Sequence, residues 1–255
     1  MVTSLAGRSA LVTGAGSPDG IGFACARQLA DLGMTVHVTS TTDRIHHRAT
    51  SLGPESVGVV ADLTVEEEVD GLHKAVGDVD VVVNNAGMFS VGSPDVAALV
   101  TSLSPAVWRD DMTRNLDTAF LVTRRFLPAM VERGWGRIVN VASTTGPVNA
   151  MPEQAAYAAA KSGMVGLTRA VAVEVASLGV TCNAVAPAGS RAGRRARRSP
   201  VTGAGHPWGG RDRRPRWRRW LPSWPRPARR TSPASASSWT AGTASWRLVD
   251  GGDPA

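Results

Sequence analysis

At 255 residues and 26.6 kDa the chain is long enough for one α/β domain with a full core. Its net charge of +7 is unevenly placed: residues 1–187 hold 13 Lys/Arg against 18 Asp/Glu, a net of −5, and residues 188–255 hold 15 Arg against 3 Asp, a net of +12. That split argues against a nucleic-acid partner for the folded part, and the two cysteines, Cys25 and Cys182, lack metal or redox spacing. They read as small core residues of a reducing, cytoplasmic compartment, with no metal expected. No charged region followed by an apolar one opens the chain, and its longest apolar stretch is broken by Arg169 and Glu174. Neither a signal peptide nor a membrane span is therefore expected.

Residues 9–13, Ser-Ala-Leu-Val-Thr, predict a first strand, and residues 21–32 follow with helical periodicity. The turn between them reads Thr13-Gly14-Ala15-Gly16-Ser17-Pro18-Asp19-Gly20-Ile21-Gly22. A glycine-rich strand-to-helix turn lets backbone N–H groups and a helix N-terminus face a pyrophosphate, although the same pattern also makes a plain tight turn. Further strands are predicted at 35–39, 57–61 and 79–83, with helices near 43–51 and 65–76. This alternation implies right-handed βαβ units and an α/β, doubly wound parallel sheet of Rossmann type. Asp62 closes the third strand and Asn84-Asn85-Ala86-Gly87 closes the fourth. Both lie at the carboxyl edge, where open α/β sheets bind ligands.

One long helix is predicted over residues 104–133, with Pro105 in its first turn. Asn115 falls in its middle among apolar neighbours, where Asn is a poor helix former. Residues 138–141 predict a fifth strand, 153–177 a helix and 180–185 a sixth strand. The 153–177 helix carries Tyr157 and Lys161, one turn apart on one face. An ammonium beside a phenol favours the ionised form, so the spacing predicts a Tyr157 pKa drawn toward neutrality. Such a Tyr exchanges a proton with a substrate oxygen, and Ser143, just past the fifth strand, is placed to hold that oxygen.

The glycine turn, Asp62, residues 84–87, Asn115, Ser143, Tyr157, Lys161 and Asn183-Ala184-Val185-Ala186-Pro187 occur in an order that resembles the short-chain dehydrogenase/reductase family, in its 3-oxoacyl-carrier-protein reductase group. The resemblance covers residues 1–187. It implies a nicotinamide cofactor and an active-site tetrad of Asn115, Ser143, Tyr157 and Lys161. Within that tetrad Lys161 would hold the nicotinamide ribose, and Asn115 would anchor a water that returns protons to Lys161. The cofactor set it implies runs from Gly14, Ser17, Gly20 and Ile21 on the pyrophosphate side to Asp62, Leu63 and Asn85 around the adenosine, with Tyr157, Lys161 and Pro187 completing it. Ser40 and Thr41 end the second strand without the Asp or Glu that grips the ribose of NAD, and Arg44 follows. NADP is therefore expected ahead of NAD, although Asp19 occupies a turn where NADP users often carry a cation. The family would also imply a homodimer or homotetramer. Two departures stand out: five residues, from Ala15 to Asp19, fill a turn that usually holds three, and Ala188 follows Pro187 where a Gly is usual.

From Ala188 onward Arg, Pro, Trp, Ser, Gly and Ala dominate, and no period of a helix or strand survives. Residues 188–255 are thus expected to be a disordered tail. Shifting the frame by one nucleotide turns residues 232–242 into a string resembling the family's last strand, so the tail reads as the family C-terminus out of frame. The expected activity is hydride transfer between a nicotinamide and a ketone or secondary alcohol, most naturally a 3-oxoacyl thioester. The alternatives are oxidation of a sugar or steroid hydroxyl, and a Rossmann scaffold whose basic arm binds a partner.

Overall fold

In the computed structural model, residues 5–87 and 98–187 are described, together with the backbone of residues 246–249. The strands are β1 (Ser9–Thr13), β2 (Thr35–Ser40), β3 (Gly58–Val60), β4 (Val81–Asn84), β5 (Gly136–Val141), β6 (Val180–Pro187) and β7 (Trp246–Val249). The helices are α1 (Ile21–Asp31), α2 (Arg44–Thr50), α3 (Glu66–Val76), α4 (Pro105–Met112), α5 (Thr118–Glu132) and α6 (Ala155–Glu174). The strand order is β3-β2-β1-β4-β5-β6-β7, and every neighbouring pair is parallel. The doubly wound α/β sheet is as expected.

Parallel strands covered on both faces read as unbroken apolar runs, and β1 and β4 do. Alternate residues face opposite ways. On one face Leu11, Val82, Ile138 and Cys182 pack with Val69 and Leu72 of α3, Val122 and Phe126 of α5, and Val171 of α6. On the other, Val12, Val36, Val38 and Val83 pack with Phe23 and Ala26 of α1 and Ile45 of α2. Because β1 lies between β2 and β4, the connections leave it in opposite directions. That switch opens a crevice at the carboxyl ends of β1 and β4.

The structure departs from expectation at several points. The single helix of 104–133 is divided: α4 ends at Met112, and a π-helical turn, Thr113–Asp117, joins it to α5. Asn115 sits in that turn, and its side-chain amide donates to the Asp111 carbonyl at 3.1 Å. A side chain that competes for a backbone acceptor one turn back disturbs the helical ladder there. Helix α6 starts at Ala155, because Glu153 adopts a positive φ of 63°. The strand β7 pairs with β6 in the reading frame as given, Ala184 opposite Trp246 and Pro187 opposite Val249. A strand there was not expected, and the shifted reading had placed the last strand at 232–242. The rest of the tail, residues 188–245 and 250–255, lies outside the described residues, as does the expected disorder.

Candidate active site

The crevice is built from the backbone upward. Helix α1 begins at Ile21 with Gly20 as its cap, and no side chain fills the N–H groups of the first turn. Gly14 turns the chain with φ +67°, and a Cβ there would lie 2.8 Å from the Ala86 Cα, so the ends of β1 and β4 meet only because it is glycine. Asn85 locks the junction: its side-chain Nδ2 donates to the Thr13 and Gly14 carbonyls at 3.0 and 3.1 Å. The buried Thr13 hydroxyl accepts the Asn85 and Ala86 N–H groups at 3.0 and 2.9 Å. Thr13 was not singled out from sequence; the signal was a hydroxyl at the end of an otherwise apolar strand. Ser17 and Ile21 stand exposed at the rim, Ile21 at 49%. The glycine turn therefore presents unfilled donors and an uncapped helix end, which fit the pyrophosphate of a dinucleotide.

Beside it, the end of β2 carries hydroxyls and cations. The Ser40 hydroxyl donates to the Thr42 carbonyl at 3.0 Å, Thr41 is exposed, and Arg44 Nε donates to the Thr42 hydroxyl at 3.3 Å. Arg48, also missed in the sequence, donates from Nε to the Gly16 carbonyl at 3.4 Å. After β3, Leu63 is buried, while the exposed Asp62 accepts the Thr64 N–H and hydroxyl at 3.0 and 2.7 Å. These two bonds close a turn at the same edge of the sheet.

Past β5 the chemistry-bearing side chains converge. Ser143 accepts the Thr145 N–H at 3.0 Å and is hydrogen-bonded to the Tyr157 hydroxyl. Lys161 is 2% exposed, its Nζ donates to the Val141 carbonyl at 3.0 Å, and it lies 5.8 Å from the centre of the Tyr157 ring. Pro187 closes the edge by accepting the Thr144 N–H at 3.2 Å. Asn115 is fully buried one helical turn beyond Asp111, and Gly87 approaches so closely that a Cβ would lie 2.8 Å from the Asn115 Oδ1.

Electrostatics correct one expectation. The Tyr157 pKa is raised, not lowered: burial dominates, the Ser143 hydrogen bond opposes it, and the Asp111 charge adds to it. Burial also lowers Lys161 to about 8, so its own ammonium is the form the site disfavours. The spacing placed the two side chains on one face but carried no information on their depth. Together they make a phenol that stays protonated at neutral pH and an amine that titrates just above it. The arrangement suits donation of a proton to an oxygen held at Ser143.

A cleft between α3 and α5 holds none of these residues and carries the ion pairs Arg124 with Glu66 and Arg125 with Asp70. Among the described residues no cluster could hold a metal ion, and no helix is long and apolar enough to cross a membrane.

Known proteins bear on this arrangement. A family model described as short chain dehydrogenase matches residues 8–200. A D-beta-hydroxybutyrate dehydrogenase of Cupriavidus necator is 38% identical over 192 residues, covering 72% of this chain and 70% of that protein. A 3-oxoacyl-acyl-carrier-protein reductase of Vibrio cholerae is 38% identical over 189 residues, covering 72% and 74%. Among solved structures, a Beutenbergia cavernae protein assigned as an NAD(P)-dependent gluconate 5-dehydrogenase, with NADP bound at low occupancy, aligns with a TM-score of 0.67. It is 41% identical, and the match covers 76% of this chain and 78% of that one.

Proposed function

The chain belongs to the short-chain dehydrogenase family and is an NAD(P)-dependent oxidoreductase, and from that premise we propose that it reduces the ketone of a 3-oxoacyl thioester. The observation that carries the reading is the Ser143–Tyr157 hydrogen bond with Lys161 buried behind it, at the sheet edge that the glycine turn shares. The Vibrio relative supports the substrate class, being named for a 3-oxoacyl group on a carrier protein, and the Cupriavidus relative is named for a free 3-hydroxy acid. Both share a carbon chain oxygenated at the same position.

The residues would divide the work as follows. Gly14, Ser17, Gly20 and Ile21 would hold the pyrophosphate of the nucleotide through the α1 N-terminus. Ser40 and Thr41, with Arg44 and Arg48, would face the ribose phosphate of NADP, and Asp62, Leu63 and Asn85 would border the adenosine. The bound nicotinamide supplies or takes the hydride. Tyr157 gives its hydroxyl proton to the substrate oxygen as the carbonyl carbon gains hydride, and Ser143 donates a hydrogen bond to that oxygen as charge develops. Lys161, held by the Val141 carbonyl, titrates close enough to neutrality to return a proton to Tyr157. Asn115 would steady a water on that return path, and Pro187 would bound the nicotinamide end. The balance is a ketone, a hydride and a proton going to a secondary alcohol.

Loss of NADPH absorbance with acetoacetyl thioester tests this reading, run beside alcohol oxidation with gluconate. Turnover of the thioester is expected. A chain that oxidises gluconate and leaves the thioester untouched would establish the second reading, a sugar-acid dehydrogenase, which the Beutenbergia likeness favours.

A further inference from the structure

Four polar side chains are buried in the core beneath the site: Asn84 of β4, Asn140 of β5, Thr123 of α5 and Thr168 of α6, none more than 3% exposed. Asn84 and Asn140 stand opposite each other in the parallel pairing of β4 with β5. They share the face of Val82 and Ile138, on which α5 and α6 pack. The Asn84 amide donates to the Thr123 hydroxyl and to the Asn140 side-chain oxygen, both at 2.9 Å. The Asn140 amide donates in turn to the Thr168 hydroxyl at 2.9 Å, and that hydroxyl donates to the Met164 carbonyl at 2.7 Å. One acceptor, the Asn84 side-chain oxygen, is buried with no partner among the described residues. Apolar side chains of the same shape would fill these positions at less cost than a network with an orphan acceptor. Stability alone therefore does not account for it.

The position of the network points to its role. Ahead of Thr168 the buried face of α6 consists of Ala156, Ala160, Lys161, Met164 and Val165. Two alanines and an unbranched methionine offer few ridges to key the helix against its neighbours. Two polar ties do so instead: Lys161 Nζ to the Val141 carbonyl at 3.0 Å, and the Asn140 amide to Thr168. Asn140 and Val141 are consecutive on β5, and Lys161 and Thr168 lie two turns apart on α6. A helix held at one point can pivot; held at both, it can neither turn nor slide. We propose that Asn140 and Thr168 are positioning residues of the site, whose bond sets α6 against β5 so that Lys161 stays on Val141 and Tyr157 stays beside Ser143. Both act through the helix they hold. The inference rests on Tyr157 and Lys161 as the proton-handling pair of the reading above.

The chain has two lysines, the exposed Lys74 and the buried Lys161, so amine acylation read by mass spectrometry reports on Lys161 with an internal reference. Run on the full-length protein, it needs no turnover. Thr168→Val removes the hydroxyl at constant shape, Thr168→Ser keeps it, and Asn140→Leu with Thr168→Val makes the contact apolar. In the two variants without the hydroxyl, labelling of Lys161 relative to Lys74 is expected to rise about tenfold as α6 loosens. Their kcat for the thioester is expected to fall about tenfold, since a shift of about 1 Å can cost about 10²-fold. The KM for NADPH should stay within about twofold of wild type, and Thr168→Ser should match wild type throughout. A folded variant without the hydroxyl that keeps wild-type labelling, or wild-type kcat, overturns the proposal. So does failure of both such variants to fold, since the hydroxyl would then serve only to hold the core. Absence of ketone reduction in the wild type would defeat the functional reading and leave the labelling intact, so the two failures are distinct.

Discussion

The Lys161 ammonium donates to the Val141 carbonyl at 3.0 Å, which ties the middle of α6 to the last residue of β5. Ser143 lies two residues beyond Val141, and Tyr157 one turn before Lys161. A single hydrogen bond therefore links the strand end that carries one hydroxyl to the helix that carries the other. The bond also fixes the amine in a place where burial brings it to about 8.

Replacing Tyr157 with Phe removes the proton donor and little else, because Ser143 keeps its Thr145 N–H bond and the ring stays in place. Turnover is expected to fall by about 10²–10⁴-fold, as for a deleted general acid. Nucleotide binding, followed by fluorescence, should be retained. Activity above roughly a tenth of wild type would remove Tyr157 from the role given to it.

Lys161 gives a pH-dependent stability with a defined sign. Its value in the fold, about 8, lies below the ordinary 10.5, so between those limits the unfolded chain holds a proton that the folded chain lacks. Stability contributed by this group therefore rises with pH across that window and is least below it. Lys161→Met has no such group. The melting temperature of wild type is expected to gain on that of Lys161→Met as pH rises from about 8 to about 10.5, while the variant loses turnover at every pH. A constant difference between the two melting curves would show that the amine keeps its ordinary affinity for protons in the fold.

Cofactor choice turns on the end of β2. Arg44 and Arg48 reach the Thr42 hydroxyl and the Gly16 carbonyl beside the hydroxyls of Ser40 and Thr41, and these two cations outweigh Asp43, the one acid in that stretch of chain. Guanidinium groups and hydroxyls in that arrangement recognise a phosphate ester. NADPH is expected to be used better than NADH by a modest factor. The double change Arg44→Ala with Arg48→Ala should raise the KM for NADPH about tenfold and leave that for NADH nearly unchanged. Equal losses with both nucleotides would place these arginines in general binding instead.

Much of this was legible in the sequence for physical reasons. Strands buried on both faces must be apolar throughout, so the βα alternation is visible, and its carboxyl edge collects Asp62, Asn85 and Ser143 without further information. The one-turn spacing of Tyr157 and Lys161 reports a shared face. What spacing does not report is depth. Burial reverses the expected direction of the Tyr157 pKa, and it separates Asp111 from Asp110, two acids adjacent in the chain of which one is buried and the other exposed. The division of the long helix at Asn115 was equally hidden, since propensity marks Asn as a poor helix former but not which carbonyl its side chain will take. Strand β7 is short, and the Arg-rich composition around it masked the run Trp246-Arg247-Leu248-Val249 that precedes Gly251 and Gly252.

That strand supplies the last prediction. In the described backbone, β7 lies parallel to β6 with Ala184 opposite Trp246, Val185 opposite Arg247, Ala186 opposite Leu248 and Pro187 opposite Val249. An amide bonded into a sheet exchanges its hydrogen only when the pairing opens. Pairing also covers β6, which would otherwise present a row of free backbone groups as an edge and invite association with other chains. Hydrogen exchange read by mass spectrometry is expected to show protection of at least about tenfold within residues 246–249. A chain ending at Ser245 is expected to lose protection along β6 and to aggregate faster. Exchange of residues 246–249 at the rate of an unfolded peptide, with β6 unaffected by the truncation, would remove β7 from the sheet and restore the six-stranded edge that the composition of the tail had suggested.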